Sequence, residues 1–167
     1  MNPFLGAFDL LFSGDREIFF IAGTSLRFSF WSTVFSTLPG VIIGITLSGP
    51  RVRGKRAIAA VISSLTAMPT VVIGLFVYSF ISRSGPLGSW GWLFTPRGVV
   101  LGQTFLALPI VVSLVYTGLS KLDYRFTETL TTLGAGRFRR LLATLNESKF
   151  VLASAVLNAF GRVTGEV

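Results

Sequence analysis

The stretch AIAAVISSLTAMPTVVIGLFVYSFIS, residues 57–82, runs for 26 residues without a charge. A helix that crosses the hydrocarbon of a bilayer needs about 20 predominantly apolar residues. Two more uncharged runs of 23 residues lie on either side, FSFWSTVFSTLPGVIIGITLSGP at 28–50 and GVVLGQTFLALPIVVSLVYTGLS at 98–120. Three such runs in 167 residues predict an all-α integral membrane protein, a polytopic helix bundle. Composition agrees: 51% of residues are hydrophobic and 13% charged, about half the charge of a soluble domain. The mean hydropathy is +0.70.

Working outward, residues 1–17 mix Phe4, Leu5, Phe8, Leu10, Leu11 and Phe12 with Asp9, Asp15 and Glu17. With no positive n-region, the segment reads as an interfacial elbow outside the membrane and not as a signal peptide. Residues 18–167 form one transmembrane domain, with spans expected at 18–47, 57–81, 98–119 and 150–167. A polar segment at 120–149 separates the last two. Lys and Arg fix the orientation. Residues 49–56 carry Arg51, Arg53, Lys55 and Arg56; residues 119–149 carry Lys121, Arg125, Arg137, Arg139, Arg140 and Lys149. The opposite side holds Arg16, Arg83 and Arg97, so the two basic loops belong in the cytoplasm and the N-terminus outside. Trp90 and Trp92 suit the outer aromatic belt.

The counts exclude much chemistry. There is no Cys and no His, so thiolate zinc sites, cysteine nucleophiles and the commonest general base are ruled out. The seven acidic residues form no dense pair or triplet, so no metal site is expected. There is no GxxxxGK[S/T], and Gly134-Ala135-Gly136 lacks the third glycine of a dinucleotide loop. The chain reads as a non-enzyme. Its net charge of +8 lies between apolar runs and not along one solvated face, which argues against nucleic acid as a partner and for lipid. The sequon Asn146-Glu147-Ser148 falls in a cytoplasmic loop and carries no weight.

Each complete span contains a proline: Pro39, Pro69 and Pro109. Each lacks an amide, so the carbonyls of Phe35, Leu65 and Phe105 are expected to lose their helical partners. Two readings stand: ordinary kinks in a bundle, or broken turns facing a translocation path. Gly40 and Gly44 form a GxxxG that permits close helix approach. In the polar segment, Tyr124, Phe126, Leu130 and Leu133 recur at helical intervals, and Gly134 can end that helix. Phe138, Leu141, Leu142 and Leu145 mark a second amphipathic piece. Pattern alone leaves two readings open, a docking element for another protein or a segment resting on lipid.

The run Glu128-Thr129-Leu130-Thr131-Thr132-Leu133-Gly134 resembles the E-A-A-x-x-x-G loop of ABC importer permeases. Glu128 and Gly134 occupy its two diagnostic positions, Thr129 and Leu130 replace its alanines, and Thr144-Leu145-Asn146-Glu147 stands where the pattern has I-x-L-P. The stretch MPTVVIGLFVYSFISRSGPLGSWGWLFTP, 68–96, resembles the matching region of tungstate ABC transporter permeases. So do SLRFS at 25–29, LALPIV at 106–111 and GRVTGEV at 161–167. This resemblance implies a helix bundle of the ABC importer permease type in a prokaryotic inner membrane, acting as a homodimer. It implies a cytoplasmic ABC ATPase subunit that uses ATP and Mg, none of it bound by this chain, and an extracytoplasmic oxyanion-binding protein. Residues 120–149 become the coupling loop, with Glu128, Thr129, Leu130, Leu133 and Gly134 docking on the ATPase. Pro69, Pro109, Arg162 and Glu166 become pore or gate candidates.

Arg162 and Glu166 stand four apart and can pair. Either the pair is structural, or Arg162 attracts the anion near a gate with Glu166 setting its position. Arg27 is expected to snorkel to the outer headgroups. Such permeases continue for about two further spans beyond GEV, so the sequence reads as C-terminally truncated. Three alternatives accompany the tungstate reading: a molybdate or other oxyanion permease, a truncated inactive remnant, and a non-transporting membrane scaffold.

Overall fold

The computed structural model describes residues 16–49, 52–122 and 124–166. The elbow expected at 1–17 lies outside these residues except for Arg16 and Glu17, which open the first helix. The described residues form α-helices and one 3-10 turn, with no strand among them. In chain order the helices are α1 (Arg16–Ser48), α2 (Lys55–Leu65), α3 (Thr70–Ile81), α4 (Pro96–Ser120), α5 (Tyr124–Thr132), α6 (Arg137–Glu147) and α7 (Lys149–Thr164). By length and composition α1 and α4 can each cross a membrane, and α2 with α3 qualifies as one broken span. The outward faces of α1 and α3 are apolar, with Phe20 74%, Leu38 70% and Val71 70% exposed. An apolar exterior is what a bilayer requires of its solute.

The α1–α4 pair is the centre of the bundle. On α1 the buried stripe is Ser29, Ser32, Thr33, Ser36, Gly40, Gly44 and Leu47. Lipid tails are as apolar as leucine, so helices gain from close packing, and small residues permit it. The hydroxyl protons are satisfied locally: Ser29 donates to the Ser25 carbonyl at 2.9 Å, Thr33 to Ser29 at 2.8 Å and Ser36 to Thr33 at 3.0 Å. Ser32 Oγ lies 2.7 Å from the Phe28 carbonyl of its own helix and 2.9 Å from Gln103 Oε1 across the pair. A Cβ on Gly40 would meet Val111, and one on Gly44 would meet Val115. All three contacts share an offset of 71 residues, so α1 and α4 run parallel.

Helix α7 packs against both α4 and α1. Ala107, Val111, Val115 and Leu119 pack with Ala155, Ala159 and Val163 in one buried cluster. Gly118, near the end of α4, lies against Val151, near the start of α7, so these two helices are antiparallel. The 16 residues of α7 rise about 24 Å at 1.5 Å each.

The uncharged run that opened the sequence reading is two helices and not one. Axes α2 and α3 meet at 97° across residues 66–69. Pro69 cannot donate, and it pushes Met68 out of the helical region. With no amide at Pro69 to receive, the Leu65 carbonyl accepts instead from the Met68 amide at 3.2 Å, as Ser63 does from Thr66 and Ser64 from Ala67. The break thus closes α2 with i+3 bonds, which removes the cost of bare carbonyls at depth. Pro39 and Pro109, by contrast, sit inside continuous helices.

With α1 and α4 parallel, segments 52–56 and 124–148 share one end of the bundle, and loop 82–95 lies at the other. At the first end Lys55 Nζ donates to the carbonyls of Ser48 and Gly49, at 3.5 and 3.4 Å, and so supplies a cation to the negative end of α1.

Candidate functional site

The basic end presents a compact element. Helix α5 ends in a left-handed Gly134, φ +70°. The Gly134 amide donates to the Thr131 carbonyl and the Ala135 amide to Leu130, each at 3.0 Å. This reciprocal pair is the Schellman motif, and its left-handed residue penalises a Cβ. The turn brings α6 back against α5, where Arg140 Nη1 donates to Thr131 Oγ1 at 3.3 Å. Ser148, 1% exposed, joins α6 to α7: its amide and its hydroxyl both donate to the Thr144 carbonyl. Helices α5 and α6 pack chiefly on one another and on the start of α7.

Three of the expected coupling residues can be placed side chain and all. Leu133 is 76% exposed, Leu130 half-buried and Thr129 exposed. Glu128 belongs to α5, but its side chain lies outside the described residues. Beside Leu133, the structure exposes Phe138, Leu141 and Leu142. Four large apolar groups are thus exposed on a basic, polar element, which water disfavours and a partner or lipid favours.

The four pore candidates do not converge within one copy. Pro109 is buried in α4 and lines an apolar cavity of about 400 Å³ with Ile62, Met68, Val72 and Phe105. Pro69 forms the bend beside that cavity. Arg162, in the last turn of α7, and Glu166, just past its end, lie on another flank, and they pair: Nη1 to Oε1 is 3.2 Å, with the side chains 42% and 28% exposed. Continuing the register from Gly118–Val151 sets Val163 about midway along α4, so Arg162 lies at membrane depth.

Sequence reasoning treated Arg97 only as one of the outer positives. The structure places it with Arg27 around one cavity at the far end of the bundle. Nothing local signals this, because the two residues meet only through the parallel packing of helices far apart in sequence. Near them Trp90 and Trp92 pack with ring centroids 4.6 Å apart, and Phe94 projects 94% exposed at φ +57°.

Residues 24–167 match the family described as "Binding-protein-dependent transport system inner membrane component". The chain is 34% identical over 166 residues to the tungstate uptake system permease protein TupB of Campylobacter jejuni, covering 99% of this chain and 70% of that protein. It is 33% identical over 147 residues to a probable anion ABC transporter permease protein of Haloferax volcanii, covering 88% of this chain and 63% of that protein. It is 27% identical over 150 residues to the molybdenum transport system permease protein ModB of Escherichia coli, covering 85% of this chain and 66% of that protein. Sulfate transport system permease proteins match as well. The chain therefore spans between 63% and 70% of the length of these three relatives.

Proposed function

Because the chain belongs to the family of binding-protein-dependent transport system inner membrane components, we propose that it is the membrane-spanning permease of an ABC importer for a tetrahedral oxyanion, tungstate first among them. The observation that carries this reading is the α5–Gly134–α6 element, whose Schellman turn falls on the Gly of the coupling pattern and whose exposed Leu133, Phe138, Leu141 and Leu142 await a partner. The similarity to a tungstate uptake permease over 99% of the chain favours tungstate. The matches to molybdenum and sulfate permeases make those anions the competing substrates.

In this reading the basic end faces the cytoplasm and the N-terminus lies outside. A separate ATPase grips the coupling element, to which Glu128 belongs, and ATP hydrolysis takes place in that partner, not in this chain. An extracytoplasmic binding protein delivers the anion at the end that bears Trp90 and Phe94. Two copies of the permease line the path. The permease needs only two packings of nearly equal energy, one favoured by each partner. Residues 66–69 suit such a movement: the helices meet there at 97° with their terminal carbonyls already satisfied, so α3 can pivot without exposing backbone to lipid.

The test is uptake by vesicles containing the chain, its neighbouring ATPase and the binding protein. Competition among tungstate, molybdate and sulfate is measured at equal concentration. ATP-dependent accumulation of tungstate, displaced at least tenfold less well by sulfate, is expected. Accumulation of none of the three with all partners present would refute the proposal.

A further inference from the structure

The end of the bundle that bears loop 82–95 holds a cavity of about 740 Å³ between α1 and the first turns of α4. Most of its wall is apolar or aromatic, including Trp31, Phe35, Trp92 and Leu101. Among the described residues that line it, the charged groups are Arg27 and Arg97, with no carboxylate. The 71-residue offset between the parallel helices sets Arg27 level with Gly98, one residue from Arg97. The two cations therefore reach one space from two helices.

Neither arginine has a hydrogen-bond or ion-pair partner among the described residues. Thr24 and Thr104 also line the cavity, but their protons are committed to the carbonyls of Phe20 and Val100, at 2.7 Å each. Arg97 lies in the first turn of α4, where peptide dipoles already concentrate about half a positive charge and where no acidic residue offsets it. Positive charges converge here, and among the described residues no carboxylate lines the space between them. From Arg27 to Ser48, α1 rises about 32 Å, close to the thickness of the hydrocarbon, so the cavity opens at headgroup level.

We propose that this cavity is a binding site for a tetrahedral oxyanion, clasped between the guanidinium groups of Arg27 and Arg97 of a single copy. Guanidinium forks match the paired oxygens of such an ion. The ion has two sources of the same chemistry: free tungstate on its way to the path, which rests on the transport reading above, and the phosphate of an anionic phospholipid, which does not.

Two of the chain's three tryptophans, Trp31 and Trp92, line the cavity, so their emission reports on it directly. The purified full chain in neutral detergent is titrated with sodium tungstate at constant ionic strength. In a second arm, native mass spectrometry compares retention of phosphatidylglycerol and phosphatidylcholine. Both arms include Arg27→Gln, Arg97→Gln and the charge-preserving Arg97→Lys, with circular dichroism confirming helical content. Saturable quenching by tungstate, weakened at least tenfold in each Gln variant and less in Arg97→Lys, supports the site with the free ion as its source. Phosphatidylglycerol held by the wild type and lost from both Gln variants, without saturable tungstate binding, supports it with the headgroup as its source. Equal binding of both probes by wild type and variants, or binding of neither by the wild type, overturns it. No ATPase or binding protein is present, so a chain that binds the anion here but drives no uptake counts against the transport reading alone.

Discussion

A Cβ added to Gly40 would lie 2.7 Å from Cγ1 of Val111, and one added to Gly44 would lie the same distance from Cγ1 of Val115. Real Cβ atoms do not come so near, so α1 and α4 touch only because two side chains are missing. The approach also sets the parallel register that brings Ser32 to Gln103 and Arg27 to the level of Arg97.

Gly40→Ala or Gly44→Ala therefore overpacks the centre of the bundle. Either is expected to destabilise the folded chain by about 1–3 kcal/mol, read from the unfolding midpoint in mixed micelles. Val111→Ala, itself a cavity-forming change, should recover part of the loss in the Gly40→Ala background and none in Gly44→Ala. Equal recovery in both would show that the two contacts are not separate.

Ser32→Ala removes the hydroxyl that joins α1 to Gln103. Interhelical bonds of this kind in membranes average about 0.6 kcal/mol, so a small loss is expected. Gln103→Leu should add little to it, because the bond is already gone. The double-mutant cycle tests this: strict additivity would mean the two side chains do not interact.

Gly134 has φ +70°, and the two bonds that close α5 depend on it. Gly134→Val should cost about 1–2 kcal/mol locally, whereas Gly134→Asn, which tolerates the left-handed region, should cost less. Insertion and α1–α4 packing are untouched, so membrane levels should hold. Uptake should fall at least tenfold in the Val variant and remain near wild type in Asn, measured in vesicles with all partners. Full uptake with Val would remove Gly134 from the coupling element.

Much of this was legible in advance for a physical reason. Uncharged runs are a one-dimensional signal, so the apolar segments and the polar interval between them could be read from spacing alone. The left-handed role of Gly134 was readable because helix stops are local. The 97° turn was only half readable: Pro69 announced a lost donor, but not that Thr66, Ala67 and Met68 would close α2 with their own amides. Contacts across helices were not readable at all. GxxxG named the small face of α1, yet nothing in the sequence names Val111 and Val115 as what fills it. For the same reason Arg27 read as a lone snorkelling cation. Its neighbour Arg97 is set by the register of two helices joined through a broken third.

Arg162 and Glu166 test whether charge at membrane depth is structural or directed at substrate. At 3.2 Å the two neutralise one another, which lowers the cost of keeping either in the bilayer and leaves little net field for an anion. This favours a structural pair. Arg162→Ala leaves Glu166 uncompensated and should reduce membrane level several-fold. The exchange Arg162→Glu with Glu166→Arg restores the pair and moves the cation one turn, about 6 Å at 1.5 Å per residue. The cation then stands just past the C-terminus of α7, still beside the negative end of the helix dipole. Assembly and uptake should both return toward wild type in the exchanged protein. A protein that assembles normally but takes up tungstate at least tenfold more slowly would instead mean that the place of the cation matters, and Arg162 would then belong to the path.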